Sequence, residues 1–496
     1  MSSPPPSASA PVEARSGLPP WTPADLPPAP SPKGLGWLAA VGPGVIVLGI
    51  SLGSGEFLLG PAAFVKHGLT LLWVTTAAVL LQTIFNLELM RYTLATGEPV
   101  LTGFMRSRPS SSFWAWFYSI LYFLQTGWPA WAATAAGAVF FLWARRLAGP
   151  AEATILYWIG VSMFLLTVLI LLVGRRIERT LEILNWVLIA WILGSFLVLA
   201  VIFVPIDTWM AAGAGLVGFN PASGAFDLLP QGLDPVLLAA LVAYSGCGGM
   251  TNLTLTNWAR DRGYGMGERV GYIPAAVGGA KVHLAHTGFM FQANPENLSR
   301  WRGWWRIVHA DQWGVFFLGG VLGMILPALL YVTFLTPGTE IRGLGIAAAL
   351  ASSVGAQAGP ALAGTIALLG AWLLFKTQLD NMEGMVRALT DVLWTGSSRL
   401  RAWRGGDVRR VYYSVLAASV VWGMIALGMS QPIVLLQIGA NVASVAFIVT
   451  SLHLLYLNTT LLPPALRPPM WRRFVLVAMA IFYGYFSFLS ISSLLK

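Results

Sequence analysis

Two glycine-rich stretches interrupt otherwise apolar segments of the chain, and one of them contains a carboxylate. The first reads GISLGSGEF over residues 49–57 and includes Glu56; the second reads YSGCGGMTN over residues 244–252 and has three glycines within four positions. Glycine in a helix interior costs about 1 kcal/mol relative to alanine, so both stretches predict a break in a helix. In lipid, such a break is tolerated where the freed backbone surrounds a polar cavity or a bound ligand. The alternative is close helix packing through small residues.

Glu56 is the one acidic residue in either stretch. A bare carboxylate inside an apolar segment costs about 3 kcal/mol, so Glu56 requires a cation, a proton or a cationic partner. We interpret it either as a cation ligand or protonatable group, or as part of a structural ion pair or a permanently protonated acid. The candidate substrate-binding residues belong to the two breaks and to one later helix: Glu56, Gly53, Ser54, Ser245, Gly246, Gly249, Thr251, Asn252 and Asn441.

The composition excludes a soluble protein. Of 496 residues, 56% are hydrophobic and 10% are charged, and the mean hydropathy is +0.70, whereas soluble domains have about 25% charged residues. The single cysteine, Cys247, excludes an intramolecular disulfide and a cysteine-based metal site within one chain. The net charge of +10 is spread between apolar segments, which argues against a nucleic-acid partner. The chain lacks a GxxxxGK[ST] phosphate-binding loop and an HExxH motif, so we expect neither an enzyme nor a cofactor.

Stretches of about 20 apolar residues predict eleven membrane-spanning helices in a domain that covers residues 34–496. Residues 1–33 precede it; they are rich in proline and predict a disordered cytoplasmic tail. The predicted spans are approximately 37–62, 69–95, 112–144, 154–173, 181–205, 235–259, 313–335, 361–386, 410–429, 432–457 and 473–494.

The basic residues between the spans predict the orientation of the chain in a cell membrane. If the N-terminus is cytoplasmic, 23 of the 30 lysines and arginines lie in inner segments and 5 lie outside, with the other two in the eighth span. This asymmetry favours a multi-pass protein with a cytoplasmic N-terminus and an external C-terminus.

Three further segments carry a structural prediction. RWRGWWRIVHADQW, residues 300–313, is typical of an amphipathic helix at the membrane interface with tryptophan anchors, although a solvated loop is the alternative. The Gly- and Ala-rich residues 344–360 predict a short outer helix. The eighth span has two oppositely charged pairs four residues apart, which predict ion pairs at its cytoplasmic end or a role in gating: Lys376 with Asp380, and Glu383 with Arg387.

The two breaks lie in segments that resemble a known family. Residues 41–98, from VGPGVIVLGISLGSGEF to RYTLATGE, resemble the first two helices of the NRAMP divalent-metal transporters, and GCGGMTNLTLTNW resembles their sixth helix. The resemblance extends more loosely from about residue 36 to the end of the chain. It implies an all-α membrane protein with the LeuT-like fold: inverted repeats of helices 1–5 (about 37–205) and helices 6–10 (about 235–457), plus an eleventh helix (473–494). Glycine-interrupted helices at matching places in two halves point to the same architecture.

The motifs of this chain differ from the family's in the residues that bind metal. Where NRAMP helix one carries Asp-Pro-Gly-Asn, this chain has GSGE at 53–56, and where helix six carries Met-Pro-His, it has GMT at 249–251. A second histidine of that helix corresponds to Thr256. The family has acidic residues linked to proton movement in helix three, but residues 112–144 contain no Asp or Glu.

The resemblance implies a secondary transporter for a divalent metal cation. The differences from the family predict an altered site, with Glu56 as metal ligand, and transport without tight proton coupling. An oxygen-rich ligand set suits Mg²⁺, Ca²⁺ or Mn²⁺ better than softer metals. Two alternatives stay open: transport of a small organic or amine substrate whose ammonium pairs with Glu56, and a non-transporting membrane sensor with the same fold. The expected partners are the transported ion and the lipid bilayer.

The orientation can be tested by labelling two engineered cysteines with a membrane-impermeant reagent. In a Cys247→Ala background, a cysteine at Ser2 should react from the inside and a cysteine at Lys496 from the outside. Labelling of both positions from the same side of the membrane would contradict the eleven-helix topology.

Overall fold

The computed structural model describes residues 17–34, 36–173, 176–230, 232–277, 279, 282–338, 346–429 and 432–495. Each of the eleven predicted spans contains helix. The helices are α1 (Pro43–His67), α2 (Leu72–Thr96), α3a (Ser111–Thr126), α3b (Ala130–Ala144), α4 (Ala153–Leu172), α5 (Ile177–Phe203), α6a (Pro235–Tyr244), α6b (Met250–Arg262), α7 (Pro295–Phe334), α8 (Pro360–Gly396), α9 (Val408–Ala426), α10 (Pro432–Thr460) and α11 (Met470–Leu494).

Eight of these helices in the described ranges are long and apolar enough to cross a membrane: α1, α2, α4, α5, α7, α8, α10 and α11. Of the others, α3 and α6 are each divided into two shorter helices. The 19-residue α9 carries Arg409 and Arg410 in its first turn, which lower its hydropathy. These arginines suit the end of a span, where a long basic side chain reaches the membrane surface.

Short elements connect the spans. The strands β1 (Thr22–Pro23) and β4 (Phe289–Met290) pair in parallel, and β2 (Phe219–Asn220) and β3 (Ala225–Phe226) form an antiparallel pair. The outer helix predicted at 344–360 covers Ile346–Ala358, while residues 344 and 345 lie outside the described ranges. The other short helical segments are Gly36–Ala40, Leu69–Leu71, Val100–Phe104, Pro150–Glu152, Ile206–Gly215, Gly267–Val270, Ser398–Ala402, Trp403–Gly405 and Pro464–Leu466.

The first glycine-rich stretch does not unwind α1, which corrects the prediction of a break. Residues Leu52–Leu59 form a π-helix between two α-helical halves, so α1 is continuous. The glycines serve close packing instead. A Cβ on Gly53 would lie 2.0 Å from the hydroxyl of Thr377 in α8, and one on Gly55 would lie 2.2 Å from the carbonyl oxygen of Tyr244 in α6a.

The second glycine-rich stretch does break its helix, as predicted. The helix stops after Tyr244 and resumes at Met250. Between them Gly246, Gly248 and Gly249 have φ angles of +98°, +89° and +57°, a region that residues with a Cβ rarely adopt. The backbone can therefore turn sharply here because these three positions are glycine.

A break in α3 was missed by the sequence interpretation, which predicted one helix over 112–144. The chain leaves α3a at Gly127 and enters α3b after Pro129. Proline lacks the backbone N–H that a continuous helix would require, and its ring clashes with the preceding turn. The sequence GWP was the available signal.

The start of α1 is held by a carboxylate from α7. Asp311 accepts hydrogen bonds from the backbone N–H groups of Gly42, at 3.0 Å, and Gly44, at 2.8 Å. The side chain of Asp311 is fully buried. An acidic group at a helix N-terminus satisfies free amides and interacts favourably with the helix dipole, so α7 fixes where α1 enters the bundle.

The N-terminal segment packs on the bundle from residue 17 onward, which corrects the prediction of a disordered tail over residues 1–33; residues 1–16 lie outside the described ranges. Leu26 is completely buried. The carbonyl oxygens of Leu26 and Pro27 accept hydrogen bonds from Arg300, at 2.8 Å, and Trp304, at 2.9 Å. Prolines cannot donate backbone hydrogen bonds, and here arginine and tryptophan donors satisfy the carbonyls of a proline-rich chain.

This packing changes the interpretation of the tryptophan-rich segment. α7 begins at Pro295, eighteen residues before its predicted start at 313, and its first part is amphipathic as expected. Trp301 and Trp304, however, are 8% and 5% exposed, because they lie against the chain's own neighbouring segments. They are part of the protein core and do not act as membrane anchors.

Buried ion pairs connect α6b to α8. Both predicted pairs in α8 are present: Lys376 Nζ lies 3.2 Å from Asp380 Oδ2, and Arg387 Nη2 lies 2.6 Å from Glu383 Oε1. All four side chains are fully buried. The contacts extend to α6b, where Arg387 also pairs with Asp261 and Arg260 pairs with Asp391. Breaking a buried pair leaves an uncompensated charge, so α6b and α8 are firmly connected.

Candidate functional site

The carboxylate of Glu56 lies where the π-helical part of α1 meets the break in α6. Its Oε1 accepts a hydrogen bond from the backbone N–H of Gly246 at 3.2 Å and another from the hydroxyl of Ser51. Its Oε2 has no hydrogen-bond partner within the described part of the chain, and the side chain is completely buried. The structure therefore places a free acceptor, on an ionisable side chain, at the junction of the two glycine-rich segments.

The freed backbone of the α6 break is largely satisfied by Gln82 of α2. Gln82 Nε2 donates to the carbonyl oxygen of Ser245 at 2.7 Å, and Gln82 Oε1 accepts from the amides of Cys247, at 2.9 Å, and Gly248, at 3.3 Å. Tyr483 of α11 holds the glutamine in place through its hydroxyl, which lies 2.9 Å from Nε2. One buried amide side chain thus replaces several hydrogen bonds that an intact helix would have made.

A second glutamine, Gln125 of α3a, satisfies the other side of the break. Its Nε2 donates to the carbonyl oxygen of Gly248 at 2.7 Å, and its Oε1 accepts from the amide of Met250 at 2.8 Å. The carbonyl of Cys247 accepts from the Thr251 hydroxyl at 2.7 Å. With these contacts the break has a defined shape that does not depend on a bound ligand.

The α1 residues predicted at the site pack against neighbouring helices. Ser54 Oγ donates to the carbonyl of Ile50 at 3.1 Å and accepts from the indole N–H of Trp131 in α3b at 3.1 Å. Gly53 adjoins Thr377, as described above. Both residues therefore help to fix α1 between α3b and α8, and Glu56 is the α1 side chain that faces the break.

The hydroxyls and amide predicted on α6 also have partners within the protein. Ser245 Oγ donates to the carbonyl of Leu241 at 2.6 Å, and the Thr251 hydroxyl donates to the carbonyl of Cys247 in the break. Asn252 Nδ2 donates to Asn86 Oδ1 of α2 at 2.9 Å, which leaves Asn252 Oδ1 without a partner in the described residues. Gly246 and Gly249 form the turn itself. The structure thus brings these residues together around the break, with most of their polar atoms already paired.

Asn441 lies apart from this group, which corrects its assignment to the site. Its Nδ2 donates to the carbonyl of Gln437 at 2.9 Å, and its Oδ1 accepts from Ser490 of α11 at 2.8 Å. α10 faces the break with Ala443, whose Cα would lie 2.9 Å from a Cβ on Gly249, and one turn earlier with Gly439, where a Cβ would lie 2.3 Å from the carbonyl oxygen of Gln125. Asn441 is two positions further along, about 200° around the helix, and it joins α10 to α11.

The described residues contain no group of three or more His, Cys, Asp or Glu side chains that could hold a metal ion. Glu56 lies at the junction itself, and the buried pair of Lys376 with Asp380 lies against the start of the same stretch, where a Cβ on Gly49 would be 1.9 Å from Lys376 Nζ. Carboxylate, hydroxyl, amide and carbonyl oxygens are hard ligands. Such a set could hold a cation that keeps part of its hydration shell, as Mg²⁺ often does.

The sequence interpretation missed the two glutamines that shape the site. Gln82 and Gln125 stand within the apolar runs LLQTIF and YFLQTGW. A primary amide in such a run needs several hydrogen-bond partners inside the protein, and the partners it needs are the groups that a helix break exposes. Reading the two glutamines together with the predicted break would have connected α2 and α3 to α6.

The fold is similar to that of solved manganese transporter structures from Eremococcus coleocola. Two variants of that transporter match with TM-scores of 0.67 and 0.66 at 15% and 14% identity, each covering 97% of this chain and 90% of the other. Its complex with an aromatic bis-isothiourea substituted compound matches with a TM-score of 0.61 at 17% identity, covering 94% and 89%. No protein-family model and no curated protein sequence matches the chain. The likeness confirms the predicted all-helical, LeuT-like membrane fold.

The role of Gln82 can be tested with Gln82→Met, which keeps the size of the side chain and removes its amide. Three backbone groups would lose their partner, and each unsatisfied buried group costs about 1–3 kcal/mol. We expect a loss of at least about 3 kcal/mol, visible as a lower melting temperature in detergent by tryptophan fluorescence. The matched control is Gln437→Met, a half-buried glutamine of α10 outside the break. Equal melting temperatures for the two variants would contradict the assignment.

Proposed function

We propose that this chain is a secondary transporter that moves a divalent metal cation across the membrane, with Glu56 as its charged contact. The observation that carries the proposal is the free Oε2 of the buried Glu56 carboxylate, placed between the π-helical part of α1 and the break in α6. LeuT-like transporters bind substrate near the middle of the bundle, where helices are interrupted, and here the interrupted α6 meets the π-helical part of α1. The fold shared with a manganese transporter supports a divalent cation as the first candidate.

The environment of Glu56 favours a bound cation over a structural ion pair. Its carboxylate accepts hydrogen bonds from a backbone amide and a hydroxyl, and both donate to Oε1. No lysine or arginine forms an ion pair with Glu56 in the described ranges, whereas Glu88 of α2 pairs with both Arg91 and Arg472. An unpaired carboxylate buried this deeply is costly, and a transported cation would offset that cost while it is bound.

Access to Glu56 requires another conformation, because the side chain is fully buried here. Alternating access in this class of fold comes from rocking one group of helices against another. The buried pairs of Arg387 with Asp261 and of Arg260 with Asp391 close the junction of α6b and α8. A path from Glu56 to that end of the bundle would have to separate these charges, so we propose that they keep this side closed in the described conformation.

A small amine is the second candidate substrate, and the ligand set at Glu56 favours it. A divalent metal gains most from several anionic or imidazole ligands, and the described residues do not supply such a group. A single carboxylate oxygen is sufficient to pair with an ammonium group. Competition of Mn²⁺ uptake into proteoliposomes by Mg²⁺, Ca²⁺ and small primary amines distinguishes the two candidates. Absence of uptake for every solute tested would instead favour the non-transporting sensor.

The variant Glu56→Gln tests the central contact, because it preserves shape and removes charge. Losing a principal charged contact should weaken cation affinity by about 2–3 kcal/mol, or roughly 30- to 150-fold. The melting temperature of the protein should stay the same or rise, because an uncompensated buried carboxylate does not favour folding. Affinity is measured by isothermal titration with Mn²⁺ in detergent.

Glu88→Gln is the matched control for this experiment. It removes a carboxylate that is paired with two arginines, so it should lower the melting temperature without a specific loss of affinity. Wild-type affinity in Glu56→Gln, combined with a large drop in its melting temperature, would show a structural role and end the assignment of Glu56 as cation ligand.

The absence of Asp and Glu from α3a and α3b predicts that transport is not tightly coupled to protons. Liposomes loaded with a pH-sensitive dye should then show cation uptake without internal acidification. An acidification rate that rises in proportion to the cation flux would contradict this prediction.

A further inference from the structure

A second cavity, separate from the Glu56 site, lies between α3a, α8 and α9. It has a volume of about 590 Å³ and shares no residue with the junction of α1 and α6. Leu393 of α8 and Ala418 of α9 are among its exposed lining residues, so the cavity opens on the outer surface of the helix bundle. In a membrane protein this surface faces lipid.

The cavity extends through about one leaflet of a bilayer. On α9 its lining runs from Val411 to Trp422, a rise of about 16 Å, and the hydrocarbon layer of one leaflet is about 15 Å thick. The deep end is closed by the rings of Trp422 and Phe123, whose centroids are 5.4 Å apart. The shallow end is formed by the connection between α8 and α9, where Arg399 and Trp403 lie.

The walls of the cavity offer little to a polar ligand. The hydroxyl of Ser414 donates to the carbonyl of Arg410 in its own helix at 2.7 Å, and the indole N–H of Trp422 donates to the carbonyl of Gly127 at 2.8 Å. Apart from Ser419, the side chains between them are aliphatic, among them Leu389, Leu393 and Val415. A ligand in this space must therefore be hydrocarbon along most of its length.

A basic residue marks the shallow end. Arg399 is exposed and makes no ion pair with any residue in the described part of the chain. The neighbouring Arg401, by contrast, already donates to the carbonyl of Trp394 at 2.6 Å. Trp403 is 37% exposed at the same level, and tryptophan is enriched where a membrane meets water.

We propose that this cavity binds an anionic phospholipid from the leaflet on the side of the chain's N-terminus. One acyl chain lies along α9 as far as Trp422, and the phosphate group contacts Arg399. The charge distribution favours this occupant, because the segments on that side contain 23 of the 30 lysines and arginines and basic groups at a membrane surface attract anionic headgroups. The proposal is independent of what the chain transports.

The experiment is native mass spectrometry of the purified full-length protein with defined lipids. Wild-type protein should bind a first molecule of palmitoyl-oleoyl phosphatidylglycerol more tightly than phosphatidylethanolamine with the same acyl chains. A surface arginine contributes about a fivefold preference for an anionic lipid, so Arg399→Gln should lose about that preference. Ala418→Trp, which fills the cavity, should lose the first binding event for both lipids.

Two variants serve as matched controls. Arg302→Gln removes an exposed arginine from α7, and Ala417→Trp places the same bulk on an exposed alanine of α9 that does not line the cavity; both should bind like wild type. The proposal is overturned if Arg399→Gln keeps the lipid preference, or if Ala418→Trp binds lipid as well as Ala417→Trp does. Displacement of the first phosphatidylglycerol by millimolar inorganic phosphate would also overturn it, because it would identify the free anion as the ligand.

Discussion

A helix that breaks inside a membrane must find new partners for its backbone, since lipid supplies none. In this protein the break in α6 is resolved by two side-chain amides, Gln82 from α2 and Gln125 from α3a. Each uses its donor for a carbonyl and its acceptor for an amide, so neither end of the side chain is left unsatisfied. The arrangement of α2, α3 and α6 around the site follows from this requirement.

The same requirement determines which polar atoms remain for a ligand. Because the two glutamines and Thr251 already form hydrogen bonds with most backbone groups of the break, few of these groups remain free to bind a ligand. Oε2 of Glu56 is the group at the junction that combines charge, burial and the absence of a partner in the described ranges. In the proposed function, recognition at this junction depends on a single carboxylate, and for that reason a divalent metal and an amine can both be proposed.

The apolar spans, the ion pairs of α8 and the break in α6 could be predicted because each follows from local composition. Other features could not. The glycines at 53 and 55 predicted unwinding of α1. In the structure they instead allow close contact with a hydroxyl of α8 and a carbonyl of α6a. Such contacts between helices cannot be read from the sequence. The proline-rich start of the chain was interpreted as disordered because its partners, Arg300 and Trp304, are about 270 positions away.

The π-helical part of α1 has a mechanical consequence. A π-turn closes its hydrogen bond one residue further along the chain than an α-turn does, so Leu52–Leu59 contains a surplus residue relative to an ideal α-helix of the same length. If this segment changed from π-helical to α-helical hydrogen bonding, the half of α1 before it would rotate by about 100° relative to the half after it. Asp311 accepts a hydrogen bond from the amide of Gly44 in the first half of α1. The carboxylate of Glu56, in the π-helical part, accepts one from the amide of Gly246. A rotation of this size between these two contacts would point the carboxylate of Glu56 in another direction.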